Sequence, residues 1–226
     1  MGEYGEPIAV ERQIKGGDAF LRVTRVPEFR EAGLLLGDAV TNFRAALDHL
    51  TWDLVKLGSH GRLAPKEALQ IQFPLANSAA GFRVPEHRRR RMPGITDEQW
   101  RIVGQYQPYQ RGDRGRAMRL LRQISDTDKH RFIAPAVACA TGYVGRVQII
   151  GCTVHNVRRF PPNRALHVGA KLISMSITPI STEYDVKIES QITVNPSLGY
   201  GVPLGPAVFG IRETVKEILS RFEAML

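Results

Sequence analysis

Near the start of the chain two stretches alternate between apolar and polar positions around a pair of glycines. Val10–Lys15 and Ala19–Val26 flank Gly16-Gly17-Asp18, which predicts a β-hairpin, because glycine reaches the positive φ that tight hairpin turns require. Pro27 ends the second strand. The apolar spacing then changes from two to three and four. Leu36, Val40, Phe43, Leu47, Leu50 and Leu54 make one stripe of a long helix that begins between Glu28 and Ala32, runs to Leu57 and is closed by Gly58. Residues 58–95 are rich in Gly, Pro and Arg and read as a long connection with one short helix near Pro65–Gln70. Thr96-Asp97-Glu98-Gln99 has the form of a helix start, followed by Trp100, Ile102 and Val103. A further helix spans Arg114 to about His130 with Met118, Leu121 and Ile124 or Ser125 inward.

After Pro135 the pattern is that of strands. Tyr143–Val157, Leu166–Thr178 and Tyr184–Val194 are β-rich. Val186, Ile188, Ile192 and Val194 alternate with Lys187, Glu189, Gln191 and Thr193, which suits antiparallel strands with one face covered. A Pro/Gly-rich connection, Asn195–Pro206, leads to a closing helix through Ile211, Val215, Ile218 and Phe222. The expected fold class is α+β: a helical first half with an N-terminal hairpin, an antiparallel β-sheet in the second half joined by that hairpin, and a C-terminal helix. One continuous domain over residues 1–226 is expected, since the last helix must bury its stripe on something. The helical part is placed at about 28–135 and the β-rich part at about 136–196.

Composition narrows the classes further. With 43% hydrophobic and 23% charged residues over 226 positions, the chain reads as folded and soluble. The acidic start, the lack of an apolar run of membrane-spanning length and the presence of only two cysteines, Cys139 and Cys152, point to a reduced, cytoplasmic protein. The formal charge of +9 is uneven: residues 1–80 sum to −1, residues 81–131 to +7 and residues 132–226 to +3. The excess therefore centres on Arg88-Arg89-Arg90-Arg91 and on Arg111, Arg114, Arg116, Arg119 and Arg122. Adjacent like charges repel, so the tetra-arginine tract is expected as an exposed loop contacting RNA or another polyanion. Tyr106 and Tyr109 are the nearby candidates for base stacking.

The long helix carries Arg44-Ala45-Ala46-Leu47-Asp48-His49, an Arg and a His separated by four residues. This spacing resembles the short signature of the HEPN helical ribonucleases. The resemblance implies metal-independent RNA cleavage, with Arg44 stabilising the transition-state negative charge and His49 transferring a proton. Here Ala45 stands where that family often has a polar residue, and the aromatic after the His is displaced to Trp52. Five residues on a helix turn the chain about 140° beyond a full circle. Arg44 and His49 thus flank the apolar stripe on opposite sides, so a shared phosphate demands a homodimer or a second helix. The same residues also fit two i,i+4 charge pairs, Arg44 with Asp48 and His49 with Asp53. A third reading takes His49, Asp53, Asp126 and His130 as ligands of a divalent metal, with Asp128 as a ligand or as support for an imidazole.

Four short stretches together resemble a group of small, uncharacterised bacterial proteins: Gly37-Asp38 leading into Arg44–Leu50, then Phe73-Pro74-Leu75, Gln107-Pro108-Tyr109 and Asp128-Lys129-His130-Arg131. The likeness spans about residues 30–135 and implies that these stretches meet in space. Lys129, His130 and Arg131 would then join Arg44 or His49 at an anion site, with His130 as a further catalytic candidate. No cofactor is expected beyond the metal of the alternative reading. The glycines of Gly199–Gly205 lack the spacing of a phosphate loop, and Pro203 and Pro206 remove amide donors, so that stretch reads as a linker. A non-enzymatic nucleic-acid or protein interaction module is the remaining class.

Overall fold

The glycine pair makes the turn expected of it: Gly16 and Gly17 have φ of 62° and 81° and join β1 (Ala9–Lys15) to β2 (Asp18–Arg25). A computed structural model describes residues 8–129, 136–161, 164–198 and 201–226, and their side chains except at 127–129, 141–146 and 189–192. The rest of the chain order is α1 (Arg30–Gly58), α2 (Pro65–Ala68), α3 (Ala79–Phe82), α4 (Pro85–Arg91), α5 (Asp97–Gln105), α6 (Gly112–Lys129), β3 (Val137–Ile150), β4 (Cys152–Arg159), β5 (Lys171–Pro179), β6 (Asp185–Ser197) and α7 (Leu204–Glu223). This is the α+β arrangement the sequence predicts. No helix among the described residues is long and apolar enough to cross a membrane.

The chain groups into two compact units, each built from two segments. The β-rich unit comprises Met1–Gly33 and Pro135–Leu204. Its four-stranded antiparallel sheet has the order β1-β2-β5-β4, so the N-terminal hairpin is an integral edge of the sheet. β3 and β6 form a separate antiparallel pair. Leu21, Val23, Ile173, Met175 and Ile177 from the sheet and Val186 from β6 are buried in one apolar cluster. Full burial of each such side chain contributes about 1.5–3 kcal/mol. Arg12 ties the edge strand to β6 through Asp185 Oδ1 and the Val186 carbonyl, both at 2.8 Å. The expected run Tyr143–Val157 is in fact two strands: Gly151, at φ 66°, breaks it into β3 and β4. Cys139 and Cys152 are buried free thiols.

The helical unit comprises Leu34–Ala134 and Gly205–Leu226. On α1, Leu47, Leu50 and Leu54 are buried, and Phe43 is half-buried. Met118, Leu121, Ile124 and Ser125 of α6 and Ile211, Val215, Ile218 and Phe222 of α7 are buried as their spacing demands. Thr96 caps α5 with a reciprocal pair of bonds, its hydroxyl accepting from the Gln99 amide while the Gln99 side chain accepts from the Thr96 N–H. Glu217 of α7 accepts from Tyr106 Oη at 3.0 Å and from Arg114 Nε at 2.9 Å, joining α7 to the end of α5 and the start of α6. Gly58 and Gly94 touch backbone to backbone: a Cβ on Gly94 would lie 2.8 Å from the Gly58 carbonyl carbon. Gly94 itself sits at φ 78°.

The tetra-arginine tract departs from expectation. It is not a loop but most of α4, whose first residue is Pro85. Proline at the first helical position presets φ, Glu86 favours the positive end of the helix dipole, and arginine is a good helix former. The repulsion that argued for a loop is relieved by separate partners. Arg88 bonds Asp97 at 2.6 Å and the Ile95 carbonyl at 2.7 Å, Arg89 pairs with Glu86, and Arg90 donates to Gln70.

Candidate functional site

Residues 72–77 run without a strand or helix partner, so their backbone polar groups need other donors and acceptors. Side chains supply them. The Phe73 N–H donates to Asp48 Oδ1 at 2.7 Å, and Arg44 Nη2 donates to the Phe73 carbonyl at 2.7 Å. Gln107, fully buried, donates from Nε2 to the Pro74 carbonyl at 3.0 Å, while its Oε1 accepts from the Ala76 N–H at 2.9 Å. Three of the four stretches singled out in the sequence thus meet through these bonds: in the strap formed by residues 72–77, Arg44 and Asp48 hold Phe73, and Gln107 holds Pro74 and Ala76. The fourth stretch begins at Asp128. The side chains of Asp128 and Lys129, together with His130 and Arg131, lie outside the described residues.

The strap forms one wall of a cavity of about 440 Å³. α1 contributes Arg44, α4 contributes His87 and Arg91, α5 contributes Trp100, and α6 contributes Arg122, Ser125 and Asp126. Arg44 is the most enclosed of the cations: its side chain is 14% exposed and bonds Asp48 (Nε to Oδ2, 3.2 Å) as well as the strap. Burial pushes its pKa down, and the negative charges of Asp48 and Asp126 work against that shift. Arg91 is also shifted down, first by burial and then by the charges of Arg44 and Arg90, with Asp48 opposing. Among the described residues Arg91 has neither an ion-pair nor a hydrogen-bond partner, although three of its neighbours in α4 are paired. Arg122 pairs with Asp126 at 3.2 Å. Among the described residues the cavity lining therefore holds three guanidiniums and His87 against one carboxylate, Asp126, while Asp48 pairs with Arg44.

The remaining candidates are distributed elsewhere. His49 is exposed and does not line the cavity that Arg44 enters. Of the two charge pairs the sequence suggests, Arg44–Asp48 forms, whereas His49 and Asp53 are both exposed and not within ion-pair distance. Asp53 lines a separate surface depression with Lys56 and His60. Among the described residues no group of three or more His, Cys, Asp or Glu side chains is placed to hold a metal, and His130 of the alternative ligand set lies outside them. Arg114 is taken up by Glu217, and Arg111 is exposed with no partner among the described residues. Tyr106 is 1% exposed and cannot offer a stacking face, which corrects that expectation; Tyr109 leans on Phe82 at 6.1 Å between ring centroids.

Trp100 lines the cavity although the sequence does not mark it for a site, and His87 and Arg122, which fall in the basic central segment, line it with no motif that singles them out. A signal for His87 is present: His87 and Arg91 are four apart, so recognising Pro85 as a helix start puts both on one face. Comparison with protein-family models, curated proteins and solved structures yields no match.

Proposed function

We propose that this protein binds a phosphate-bearing ligand in the cavity between α1, α4 and α6. The observation that carries the reading is Arg91, whose guanidinium has no ion-pair or hydrogen-bond partner among the described residues and which lines the cavity with two further arginines, Arg44 and Arg122. Holding like charges together is unfavourable unless an anion answers them, and guanidinium forks match phosphate oxygens in geometry. Arg44 is held rigid by the strap and Asp48, so little freedom is lost when it engages a ligand. RNA is one source of such a phosphate and a free phosphate ester is another; the cavity chemistry is common to both.

Titration calorimetry with inorganic phosphate at low salt tests the reading. Five heavy atoms at the best observed efficiency of about −1.5 kcal/mol each limit the affinity to no tighter than a few micromolar. A dissociation constant on the order of 0.1–1 mM is expected. Arg91→Ala is expected to weaken it at least tenfold, the loss of one or more charge-assisted bonds worth about 1.5–3 kcal/mol. Absence of phosphate binding at low salt, or equal binding by Arg91→Ala, removes the proposal.

A further inference from the structure

The cavity is far larger than its cationic corner needs. Pockets that enclose a whole organic ligand measure roughly 300–1,000 Å³, and this one measures about 440 Å³. A tetrahedral anion of five heavy atoms leaves most of that volume unfilled. Aromatic and apolar residues line the cavity as well: Phe73, Pro74, Leu75, Phe82 and Trp100, of which Trp100 is half-buried and Phe73 and Phe82 are buried. Phe82 and Trp100 stack with ring centroids 4.1 Å apart and planes 7° from parallel, so Trp100 is backed by a second ring. Arg88 approaches the Trp100 ring at 6.0 Å, but its guanidinium is already held by Asp97 and the Ile95 carbonyl. Asn77, exposed on the strap at the same cavity, has a side-chain amide with no hydrogen-bond partner among the described residues. An amide offers both a donor and an acceptor to the edge of a heterocycle.

We infer that the ligand is a phosphate monoester whose organic part carries a flat heterocyclic ring, a nucleoside monophosphate being the simplest member. This rests on the phosphate reading above and adds the aromatic half of the ligand. The phosphate engages Arg91 and Arg122, the ring packs against Trp100, which Phe82 backs from behind, and Asn77 reads its edge. An aliphatic phosphate ester fills the cationic corner and leaves the apolar wall wet.

The test compares four probes on the full chain by calorimetry: inorganic phosphate, ribose 5-phosphate, uridine monophosphate and adenosine monophosphate. The two nucleotides are expected to bind at least tenfold more tightly than phosphate or ribose 5-phosphate. In a Trp52→Phe background, which leaves Trp100 as the sole tryptophan, nucleotide but not phosphate is expected to quench the emission. Asn77→Ala, an exposed position, is expected to weaken nucleotide binding several-fold while leaving phosphate binding within twofold. Trp100→Leu is expected to do the same, and Asn77→Ala decides the matter if that variant unfolds. Nucleotides that bind no more tightly than ribose 5-phosphate overturn this inference, and phosphate binding then leaves the simpler proposal intact. If no probe binds, both fall together.

Discussion

Asp48→Ala removes one side chain that serves two partners, and its cost follows from what each is left without. The Phe73 N–H loses an acceptor at 2.7 Å on a residue that is 1% exposed. An unsatisfied buried donor costs about 1–3 kcal/mol. Arg44 keeps the Phe73 carbonyl and Gln72 but loses its counterion. Breaking a fully buried pair costs about 3–5 kcal/mol and an exposed one under about 1 kcal/mol. Asp48 is a third exposed, so that contribution falls near the lower figure, and the two together come to about 3 kcal/mol. Asp48→Asn keeps an acceptor at Oδ1 and gives up only charge, so about 1 kcal/mol is expected. Both tryptophans, Trp52 and Trp100, lie in the helical unit, so their emission during urea unfolding follows that unit alone. A loss under about 0.5 kcal/mol for Asp48→Ala, the range of an ordinary surface change, refutes the strap as a structural support. Equal losses for the Ala and Asn variants refute the role given to the Phe73 N–H.

Other perturbations separate the remaining ideas. Asp126→Asn removes a negative charge from the cavity and releases Arg122; phosphate affinity should rise by roughly 1 kcal/mol, about fivefold. A metal centre at Asp126 requires the opposite, loss of binding on titration with manganese or zinc. Arg91→Ala should leave the stability of the helical unit by urea unfolding within about 0.5 kcal/mol of the parent while weakening phosphate binding at least tenfold, because the residue has no ion-pair or hydrogen-bond partner among the described residues to lose. Gly94→Ala forces a positive φ on alanine and a Cβ into the Gly58 backbone, and a loss of about 2–4 kcal/mol by urea unfolding is expected. Tyr106 has a raised pKa from burial, then from the bond it donates to Glu217 and from that carboxylate's charge. The unfolded chain therefore releases this proton first, so stability falls as pH climbs above about 10, and Tyr106→Phe should flatten that fall.

Elements that announce themselves by local chemistry were legible in the sequence. The Gly16-Gly17 turn, the Thr96 cap and the stripes of α1, α6 and α7 each depend on residues a few positions apart. Charge was harder to read, because its arrangement depends on partners distant in sequence. Arg88 finds Asp97 across a turn, and Arg114 finds Glu217 across 103 positions. A tract that looks uniform thus separates into three engaged arginines and one facing the cavity. Arg44, marked by its spacing from His49, does enter the cavity, yet its bond to the Phe73 carbonyl makes it a brace as well as a cation. His49 shares its motif but not its surroundings, because five residues of helix turn it to the far flank.

The central claim is that Arg44, Arg91 and Arg122 converge to hold a tetrahedral oxyanion. Crystals soaked in tungstate, a heavy-atom mimic of phosphate, test it most directly through anomalous scattering. The account predicts a peak inside the cavity, within hydrogen-bond distance of Arg91 and at least one of the other two guanidiniums, that disappears in Arg91→Ala crystals. Peaks confined to the exposed arginines, such as Arg89 and Arg111, with the cavity empty would contradict it.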